Sequence, residues 1–390
     1  MTSTVLIFWI SFILILYTYV IYPGILFFAY AFVQLRRDID YLTRRRNRRA
    51  GRRRDEDLPA VTMIVPVYNE EEHLEEKIEN VRQMSYPREK LQVIFVSDGS
   101  TDRSTAILER LDESGAEVIF KERGGKPSAL NAGVARANNP ILIFSDGSTL
   151  FKADAVRMLV RHFVNPEVGV VCGSLQFVAN VESKQTEGVY WKYESMLRLM
   201  ESRLGATLTA SGAIYALRRE AWMPLSADTV LDDFVTPVNA RTKGYRVLYD
   251  PEAVAHDFAP SSVKGEFARR VRIAMGSFHS LGTFLKADLP GFTRFAFLSH
   301  KLMRWIVPQL LLLMVISNAF LLNRRFYWVF FAVQSAFYLW AGAGFLFQKS
   351  MKRIRFALVG YFLLAMNLAF LVGLVRYLTT KKEAMWQRVS

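Results

Sequence analysis

Acidic residues recur at regular points in the middle of this 390-residue chain. Asn69-Glu70, Asp98 and Asp146 each come directly after a short run of β-branched and aliphatic residues. Carboxylates accept hydrogen bonds from N–H and hydroxyl groups, and their hard oxygens bind Mg²⁺ or Mn²⁺. A single acid at such a point could be a helix N-cap, as Asp98 or Asp102 could be. Several acids, each of which follows one of a series of successive strands, favour a shared ligand site.

The residues around these acids predict alternating strands and helices between residue 59 and about residue 260. The predicted strands are 61–67, 91–97, 116–121, 141–145 and 168–173, and the predicted helices are 70–84, 101–114, 126–138 and 152–163. Such a βαβ succession folds as a mostly parallel sheet with helices on both faces, and ligands bind beyond the carboxyl ends of its strands. We therefore expect an α/β domain whose acids converge on one rim.

Five short motifs occupy that rim. They are Pro66-Val67-Tyr68-Asn69-Glu70, Asp98-Gly99-Ser100-Thr101-Asp102, Gly124-Gly125-Lys126-Pro127-Ser128-Ala129-Leu130-Asn131, Ser145-Asp146-Gly147-Ser148 and Leu231-Asp232-Asp233. In this order they resemble the family-2 glycosyltransferases, in particular the membrane-integrated branch with hyaluronan, cellulose and poly-N-acetylglucosamine synthases. The resemblance covers about residues 59–287. It implies a Rossmann-like nucleotide-sugar-binding domain of the family A glycosyltransferase type, inserted between transmembrane helices.

The resemblance also implies how a nucleotide-sugar donor binds. Pro66 and Tyr68 would hold a uracil base, with Glu70 near the ribose. Asp98 would bond the base. Lys126 and Asn131 would lie by the diphosphate and sugar, where glycines allow the backbone to approach phosphate. A solvated surface lysine is the alternative for Lys126.

Asp146 and Ser148 stand where relatives carry a metal-binding Asp-x-Asp motif, so the second acid is replaced here. Mg²⁺ or Mn²⁺ needs at least one anionic protein oxygen, which Asp146 supplies, while phosphates and waters complete its coordination. Ser148 could contribute its hydroxyl. His256, expected just after a strand that ends near Asp250, could be a further ligand or a structural histidine.

Asp232 and Asp233 resemble the end of the family's Thr-Glu-Asp motif, whose last acid is the catalytic base. Inverting transfer needs a carboxylate within reach of the attacking hydroxyl, and Asp233 fits that role. Asp232 would bind donor or acceptor. Both acids could instead cap the helix expected near Phe234. Ser211-Gly212 resembles the acceptor-side loop.

An arginine-rich segment replaces the Gln-x-x-Arg-Trp motif of processive relatives. The chain reads Arg269-Arg270-Val271-Arg272-Ile273, and Arg269 and Arg272 are three apart on one helix face. There they could clamp the leaving diphosphate or bind anionic lipid headgroups. The other face is apolar, which predicts amphipathic helices over 261–300 lying on the membrane surface. Loss of the Gln and Trp weakens the case for processive polymerisation.

Both ends of the chain are apolar. Residues 5–35 carry no charge. Residues 36–54 contain ten arginines and two aspartates, and they supply +8 of the net charge of +14. A basic run beside an apolar span, without interleaved aromatic residues, is a positive-inside signal that also attracts anionic lipids, and it excludes a nucleic-acid partner. It predicts a cytosolic catalytic domain. Three further spans are expected near 305–322, 326–347 and 355–378.

These patterns divide the chain into six parts. They are a transmembrane anchor (1–35), a juxtamembrane linker (36–58), a catalytic domain (59–260), interfacial helices (261–300), a C-terminal membrane region (301–380) and a tail (381–390). Cys172 is the single cysteine, so no internal disulfide can form, as suits a reducing cytosol. We expect an integral protein of the cell (plasma) membrane.

The predicted function is inverting sugar transfer from a nucleotide-sugar, expected to be a UDP-sugar, to a growing polysaccharide at the membrane. One alternative is transfer of a single sugar to a polyprenyl phosphate or another membrane lipid. Another, from a different class, is a catalytically silent membrane scaffold that binds nucleotide-sugars. The need for a partner protein is left open.

Overall fold

A computed structural model of the protein describes residues 2–44, 57–113, 116–178, 186–258, 263–346 and 355–379. Residues 45–56 of the predicted linker (36–58) and the whole predicted tail (381–390) lie outside these residues. The helices are α1 (Thr2–Leu16), α2 (Tyr22–Arg44), α3 (Leu74–Arg82), α4 (Ser104–Glu113), α5 (Lys126–Arg136), α6 (Ala155–Val160), α7 (Thr186–Arg203), α8 (Asp232–Thr242), α9 (Val263–Lys286), α10 (Gly291–Phe297), α11 (Met303–Ala319), α12 (Arg325–Leu346) and α13 (Arg355–Thr379).

The described residues form an eight-stranded sheet in the order β3-β2-β1-β4-β7-β6-β8-β5. Its strands are β1 (Val61–Val67), β2 (Leu91–Asp98), β3 (Glu117–Lys121), β4 (Ile141–Ser145), β5 (Leu150–Phe151), β6 (Val168–Val178), β7 (Ile214–Arg218) and β8 (Arg246–Phe258). Strands β3, β2, β1 and β4 are parallel neighbours, as are β6 and β8. Strand β7 runs antiparallel between β4 and β6, and β5 pairs antiparallel with β8 at one edge. The predicted mostly parallel α/β sheet is confirmed.

Apolar side chains are buried on both faces of the sheet. Met63 and Val65 of β1 lie in the core under α3 and α6, whereas Ile64 packs with Leu130 of α5 on the opposite face. Strands covered on both sides read as nearly continuous apolar runs, which is why these segments were recognisable from sequence. Each fully buried aliphatic side chain stabilises the domain by about 1.5–3 kcal/mol. The sheet is thus a firm platform for the loops at its rim.

Strand β7 and the far half of β8 were not predicted. Ile214, Tyr215 and Leu217 are buried in the middle of the sheet, between β4 and β6. The predicted acceptor loop, Ser211-Gly212, leads directly into β7. The sheet therefore fixes this loop beside the carboxyl ends of the parallel strands.

Long apolar helices lie at both ends of the chain. Two described stretches are long and apolar enough to cross a membrane, Thr2–Thr43 and Gly291–Ala319, with mean hydropathies of 2.3 and 1.5. The first contains a π-helical turn at Tyr17–Ile21 just before Pro23, which has no N–H to donate. Helices α12 and α13 are found where two further spans were expected, but the apolar stretch identified in that region is the shorter Leu364–Thr379.

The apolar side of helix α9, which was predicted to lie on the membrane surface, packs against helix α13 in this structure. Val271 and Met275 lie in a buried cluster with Ala369 of α13. At Gly373 of α13 the two helices approach so closely that an added Cβ would lie 2.5 Å from the Ala274 Cβ. The amphipathic pattern was real, but a neighbouring helix covers it.

Candidate active site

The Asp98 carboxylate holds the glycine-rich loop that follows β3. It accepts hydrogen bonds from Lys121 Nζ at 2.7 Å and Arg123 Nη1 at 2.5 Å, and from the N–H groups of Gly124 and Gly125 at 2.9 and 2.8 Å. The side chain is 2% exposed. Gly125 has φ +83°, a conformation that glycine adopts without strain. Asp98 is not a helix cap; it fixes the start of α5.

The first motif lies against this loop and against the Asp146 turn. The Arg123 guanidinium lies over the Tyr68 ring, with its carbon 3.4 Å from the ring centroid. On the other side, an added Cβ at Gly147 would lie 3.0 Å from Glu70 Cγ and 3.4 Å from the Pro66 carbonyl oxygen. Pro66, Tyr68 and Glu70 therefore lie between two loops of the rim.

Asp102 is the helix cap of this region. Its carboxylate accepts hydrogen bonds from the N–H groups of Ser104, at 3.0 Å, and Glu71, at 3.1 Å. These bonds lower the pKa of Asp102 even though burial raises it. The carboxylate ties the start of α4 to the first motif, so its role is structural.

Lys126 joins the second half of the site. Its Nζ is 2.7 Å from Asp146 Oδ1 and 3.3 Å from Asp232 Oδ2. Burial alone would lower the pKa of Lys126, but Asp146 and Asp232 raise it above its ordinary value. An added Cβ at Gly212 would be 3.2 Å from the same Nζ and 3.5 Å from Asp233 Cβ. Lys126 thus links Asp146, the predicted metal ligand, to the Asp232–Asp233 pair and to the predicted acceptor loop.

Asp232 and Asp233 occupy the first turn of α8. Burial, and secondly the neighbouring Asp232 charge, raise the pKa of Asp233 to about 6, against the lowering effect of Lys126 and Arg198. Burial also raises the pKa of Asp232. A carboxyl group with its pKa near neutrality can accept a proton and later release it. Neither acid is the N-cap of α8, which is Leu231.

Two site residues were missed from sequence, Asp257 and Lys77. Asp257 Oδ1 accepts a hydrogen bond from Ser148 Oγ at 3.1 Å, and its pKa is raised by burial and by the Asp146 charge. The fully buried Lys77 donates to Ser145 Oγ at 2.6 Å and to the Thr149 carbonyl at 2.5 Å. These bonds bracket the turn that carries Asp146. Asp257 could have been found as an acid near the end of a strand. The strand was expected to end near Asp250, whereas β8 continues to Phe258.

Asp146, Ser148 and Asp257 bring together only oxygen ligands, which are the atoms that Mg²⁺ and Mn²⁺ prefer. Within the described residues, no group of three or more His, Cys, Asp or Glu side chains could hold a metal ion. The residues therefore fit a divalent ion bound partly by Asp146 and partly by the phosphates of a donor. His256 does not join them: it lies within β8, opposite Leu150, and burial and Lys152 lower its pKa.

A cavity of about 300 Å³ lies on the other side of Asp233, between the α/β domain and the C-terminal helices. Its walls include Ser211, Arg269 and Arg270, but not Arg272, which is exposed. The predicted diphosphate clamp of Arg269 and Arg272 stays a prediction, with Arg269 at the wall of this cavity and Arg272 on the exposed side of α9. The helix face that meets it also carries Ile273 and Ser277, and Arg272 is turned away from that face.

The side chain of Asn131, which was predicted to bind the donor, is hydrogen-bonded to the loop before α8. Its side-chain amide donates to the Leu225 carbonyl at 2.8 Å and accepts from the Leu225 N–H at 2.9 Å. Both amide atoms are thus used to hold the segment before α8.

Comparison with known proteins places this geometry in context. Residues 62–223 match the family model described as Glycosyl transferase family 2. A poly-beta-1,6-N-acetyl-D-glucosamine synthase of Staphylococcus aureus is 26% identical over 230 residues, which are 57% of this chain and 55% of that protein. The probable glycosyltransferase YdaM of Bacillus subtilis is 26% identical over 258 residues, 63% of this chain and 61% of that protein. The matches thus span little more than half the length of these curated relatives.

Among solved structures, the mannosyltransferase PcManGT from Pyrobaculum calidifontis, in complex with GDP-Man and Mn²⁺, has a TM-score of 0.70. The likeness covers 96% of this chain and 99% of that chain at 22% sequence identity. At this identity the likeness shows the fold alone. The expected Rossmann-like, family A glycosyltransferase fold is confirmed.

Proposed function

We propose, on the premise that residues 62–223 form a glycosyl transferase family 2 domain, that the protein transfers a sugar from a nucleotide-sugar to a growing glycan at the membrane with inversion at the anomeric carbon. The donor is a UDP-sugar by the sequence resemblance. A GDP-sugar is the main competitor, because the structural relative was solved with GDP-Man.

The position of Asp233 carries this proposal. The residue lines the 300 Å³ cavity, and on its other side Lys126 connects the acid pair to Asp146 at 2.7 Å. A carboxylate between a donor site and an acceptor cavity is the arrangement that single displacement requires. The acceptor hydroxyl must attack from the face opposite the departing diphosphate.

In the proposed reaction, Asp233 accepts the proton of the acceptor hydroxyl as its oxygen bonds to the anomeric carbon. The bond between that carbon and the diphosphate oxygen breaks. Lys126 and Arg269 oppose the negative charge that develops on the nucleoside diphosphate. The charge of Arg269 lowers the pKa of Asp257, which lies beside the turn that carries Asp146. This proximity to the Asp146 turn suits Arg269 to the task. Arg272, three residues further along α9, is the second predicted member of this clamp.

Asp146 would hold a divalent cation, Mg²⁺ or Mn²⁺, with Ser148 and Asp257 beside it. Such an ion supplies positive charge to the leaving diphosphate. Ser148 keeps Asp257 in place through the 3.1 Å hydrogen bond, and Lys77 fixes the ends of the turn. These residues pre-organise the donor site before the sugar arrives.

We further propose that α1 and α2 anchor the protein in the cell membrane and that the α/β domain lies on the cytosolic side. The apolar length of Thr2–Thr43 and Gly291–Ala319 supports membrane insertion. The run of arginines after α2 supports the cytosolic side. The proposed boundaries remain 1–35, 36–58, 59–260, 261–300, 301–380 and 381–390, with 261–300 as amphipathic interfacial helices.

The test is release of nucleoside diphosphate by the full-length protein in lipid nanodiscs, across UDP- and GDP-sugars with Mn²⁺ or Mg²⁺. We expect metal-dependent turnover with one donor, its loss in Asp233→Asn, and its retention in the matched surface variant Asp154→Asn. Nuclear magnetic resonance of the product gives the anomeric configuration. Donor binding without turnover under every condition would favour a nucleotide-sugar-binding scaffold, and retained configuration would exclude single displacement.

A further inference from the structure

A second cavity, of about 210 Å³, lies between the α/β domain and the polar end of α2. Its walls come from α2, the turn after α6, the end of α7 and strand β8. Its charged lining residues are Arg37, Arg161, Arg203, Arg246, Asp250 and Glu252. Four arginines thus accompany two carboxylates, and no step of the proposed sugar transfer uses any of them.

Both carboxylates of this cavity are held by residues of one wall. Asp250 is buried, and its Oδ2 lies 2.7 Å from Arg161 Nη2 and 2.7 Å from His162 Nε2. Glu252 Oε2 lies 2.6 Å from Arg161 Nη1. Burial alone would raise the pKa of Asp250, but its hydrogen bonds to His162 and to the Glu252 N–H, together with the Arg161 charge, lower it. Arg161 and His162 therefore neutralise the acidic wall.

The other three arginines can accept an anion without loss of a buried ion pair. Arg37 and Arg203 are exposed, and neither forms an ion pair with any residue that the structure describes. Arg246 Nη1 lies 3.6 Å from Glu167 Oε2, and the Glu167 side chain is 66% exposed. An exposed pair at this distance contributes little to stability. Three guanidinium groups are thus available to a ligand of the cavity.

Positive charge is also buried beside Arg246. Arg241 is 8% exposed and donates to the Gly205 carbonyl at the end of α7, while its Nε has no hydrogen-bond partner. Burial, and secondly the charge of Arg246, lower the pKa of Arg241 to about 10. Two arginines therefore repel each other at this end of β8. An anion bound at Arg246 would reduce that repulsion.

The packing of α2 on α7 brings the first two arginines together. Leu26 and Tyr30 of α2 lie in one apolar cluster with Met200 of α7. Arg37 is seven residues, or two turns, beyond Tyr30, so it lies on the same side of α2. Arg203 is three residues beyond Met200 on α7. The contact that joins the helices therefore also places both guanidinium groups at the cavity.

The size and chemistry of the cavity select a small anion. Guanidinium groups present parallel N–H donors that match the oxygens of a phosphate group. The volume of about 210 Å³ is below the range of about 300–1,000 Å³ of drug-sized ligand pockets. The uncharged stretch of the chain ends at residue 35, so the proposed membrane placement puts Arg37 at the level of lipid headgroups. A phosphate group could arrive there on a lipid or on a soluble molecule.

We propose that this cavity binds a phosphate monoester, carried by a lipid headgroup or by a soluble metabolite, between Arg37, Arg203 and Arg246. The site is separate from the cavity beside Asp233. Tyr249 lines both cavities, but they share no arginine. The proposal is independent of the proposed transfer reaction, because it concerns binding and no bond is made or broken.

Inorganic phosphate is the probe for this site. It is titrated by calorimetry into the full-length protein in phosphatidylcholine nanodiscs. We expect Arg203→Gln and Arg246→Gln each to weaken phosphate binding at least tenfold, because each removes a charged hydrogen-bond donor. Arg203→Lys, which keeps the charge, should restore part of the affinity. Arg219→Gln, which changes an exposed arginine outside the cavity, should leave phosphate binding unchanged.

Nanodiscs that also contain phosphatidic acid, a lipid with a phosphate monoester, distinguish the two sources. A lipid ligand would displace inorganic phosphate and raise the melting temperature of the unmodified protein but not of Arg203→Gln. A soluble ligand would leave phosphate binding equal in both kinds of nanodisc. Either result supports the site and identifies its ligand.

Two results would overturn the proposal. One is that neither probe binds, or that binding survives in both Arg203→Gln and Arg246→Gln. The other is that Lys126→Ala abolishes phosphate binding while Arg203→Gln retains it, which would put the phosphate in the proposed donor site. Melting temperatures without phosphate identify any variant that fails to fold. Arg203 is exposed, so its substitution should leave the fold intact.

Discussion

Lys126 Nζ and Asp146 Oδ1 form an ion pair at 2.7 Å in the proposed donor site. A divalent cation that binds Asp146 must compete with this ammonium group for the same carboxylate. When a donor is present, its diphosphate offers Lys126 a new partner. Metal binding and donor binding should therefore favour each other. The metal displaces Lys126 from Asp146, and the diphosphate of the donor gives Lys126 a new partner.

Lys126→Ala tests this competition. Without a donor, we expect the variant to bind Mn²⁺ several-fold more tightly than the unmodified protein, because Asp146 is then available. With a donor, the variant should bind the nucleotide-sugar at least tenfold more weakly, because a charged contact to the diphosphate is lost. Calorimetric titration measures both constants, with the exposed Lys152→Ala as the control. Unchanged Mn²⁺ affinity would show that Asp146 is not the metal ligand.

Asp233→Asn and Asp232→Asn should affect different kinetic constants. Loss of a general base lowers kcat by roughly 10²–10⁴-fold and leaves donor affinity nearly unchanged. Asp232→Asn removes the 3.3 Å partner of Lys126, so its main effect should be on the KM for the donor. Steady-state kinetics on both variants distinguish the roles. The reverse pattern would assign the base to Asp232.

The pH dependence of transfer should show an acid limb near pH 6. Burial and the charge of Asp232 raise the pKa of Asp233 to about 6, and only the ionised carboxylate can accept the hydroxyl proton. As pH falls through this value, kcat should approach a tenfold loss per unit. A pH profile at saturating donor measures it. A flat profile from pH 7 down to the ordinary pKa of an aspartic acid, 3.8, would contradict this assignment.

Lys77 should make stability rise with pH. Burial lowers its pKa from 10.5 to about 7. Between these values the unfolded chain holds a proton that the folded protein does not, so unfolding becomes less favourable as pH increases, by on the order of 1 kcal/mol per unit. The pH dependence of the melting temperature should weaken in Lys77→Met over this window. Equal slopes in both proteins would mean that Lys77 stays charged when folded.

Asp98→Asn should loosen the glycine-rich loop. Asp98 accepts from four donors while only 2% exposed, and an amide N–H₂ group would face some of those donors. A buried hydrogen-bond mismatch costs about 1–3 kcal/mol, and more beside charged groups. We expect a lower melting temperature and weaker donor binding. Asp102→Asn, which affects a helix cap, should lower stability with a smaller effect on the donor.

Sequence patterns located the donor rim because each acid follows a strand buried on both faces. The strands β1, β2 and β4 read as continuous apolar runs, and Asp98 and Asp146 come at or just after their ends. Asp257 was missed since β8 is interrupted by Asp250, Pro251 and Glu252, so its second half does not resemble a strand. Pairing with β6, which is remote in sequence, keeps that half in the sheet.

The second cavity could not be predicted because its arginines are distant from one another in sequence. Arg37 belongs to α2, Arg203 to the end of α7 and Arg246 to the start of β8. Helical spacing describes only neighbours on one helix. Likewise, periodicity showed that α9 has an apolar face but not that α13 covers it.

The close approach of α9 and α13 at Gly373 connects the two helices mechanically. Because a Cβ at Gly373 would lie 2.5 Å from Ala274 and 3.0 Å from the Val271 carbonyl, the two helices cannot slide past each other freely. Any shift of the arginines of α9 when the diphosphate departs must be transmitted to α13. With the C-terminal helices in the proposed membrane placement, bilayer thickness, which sets the tilt of a membrane helix, should therefore change the rate of the proposed transfer.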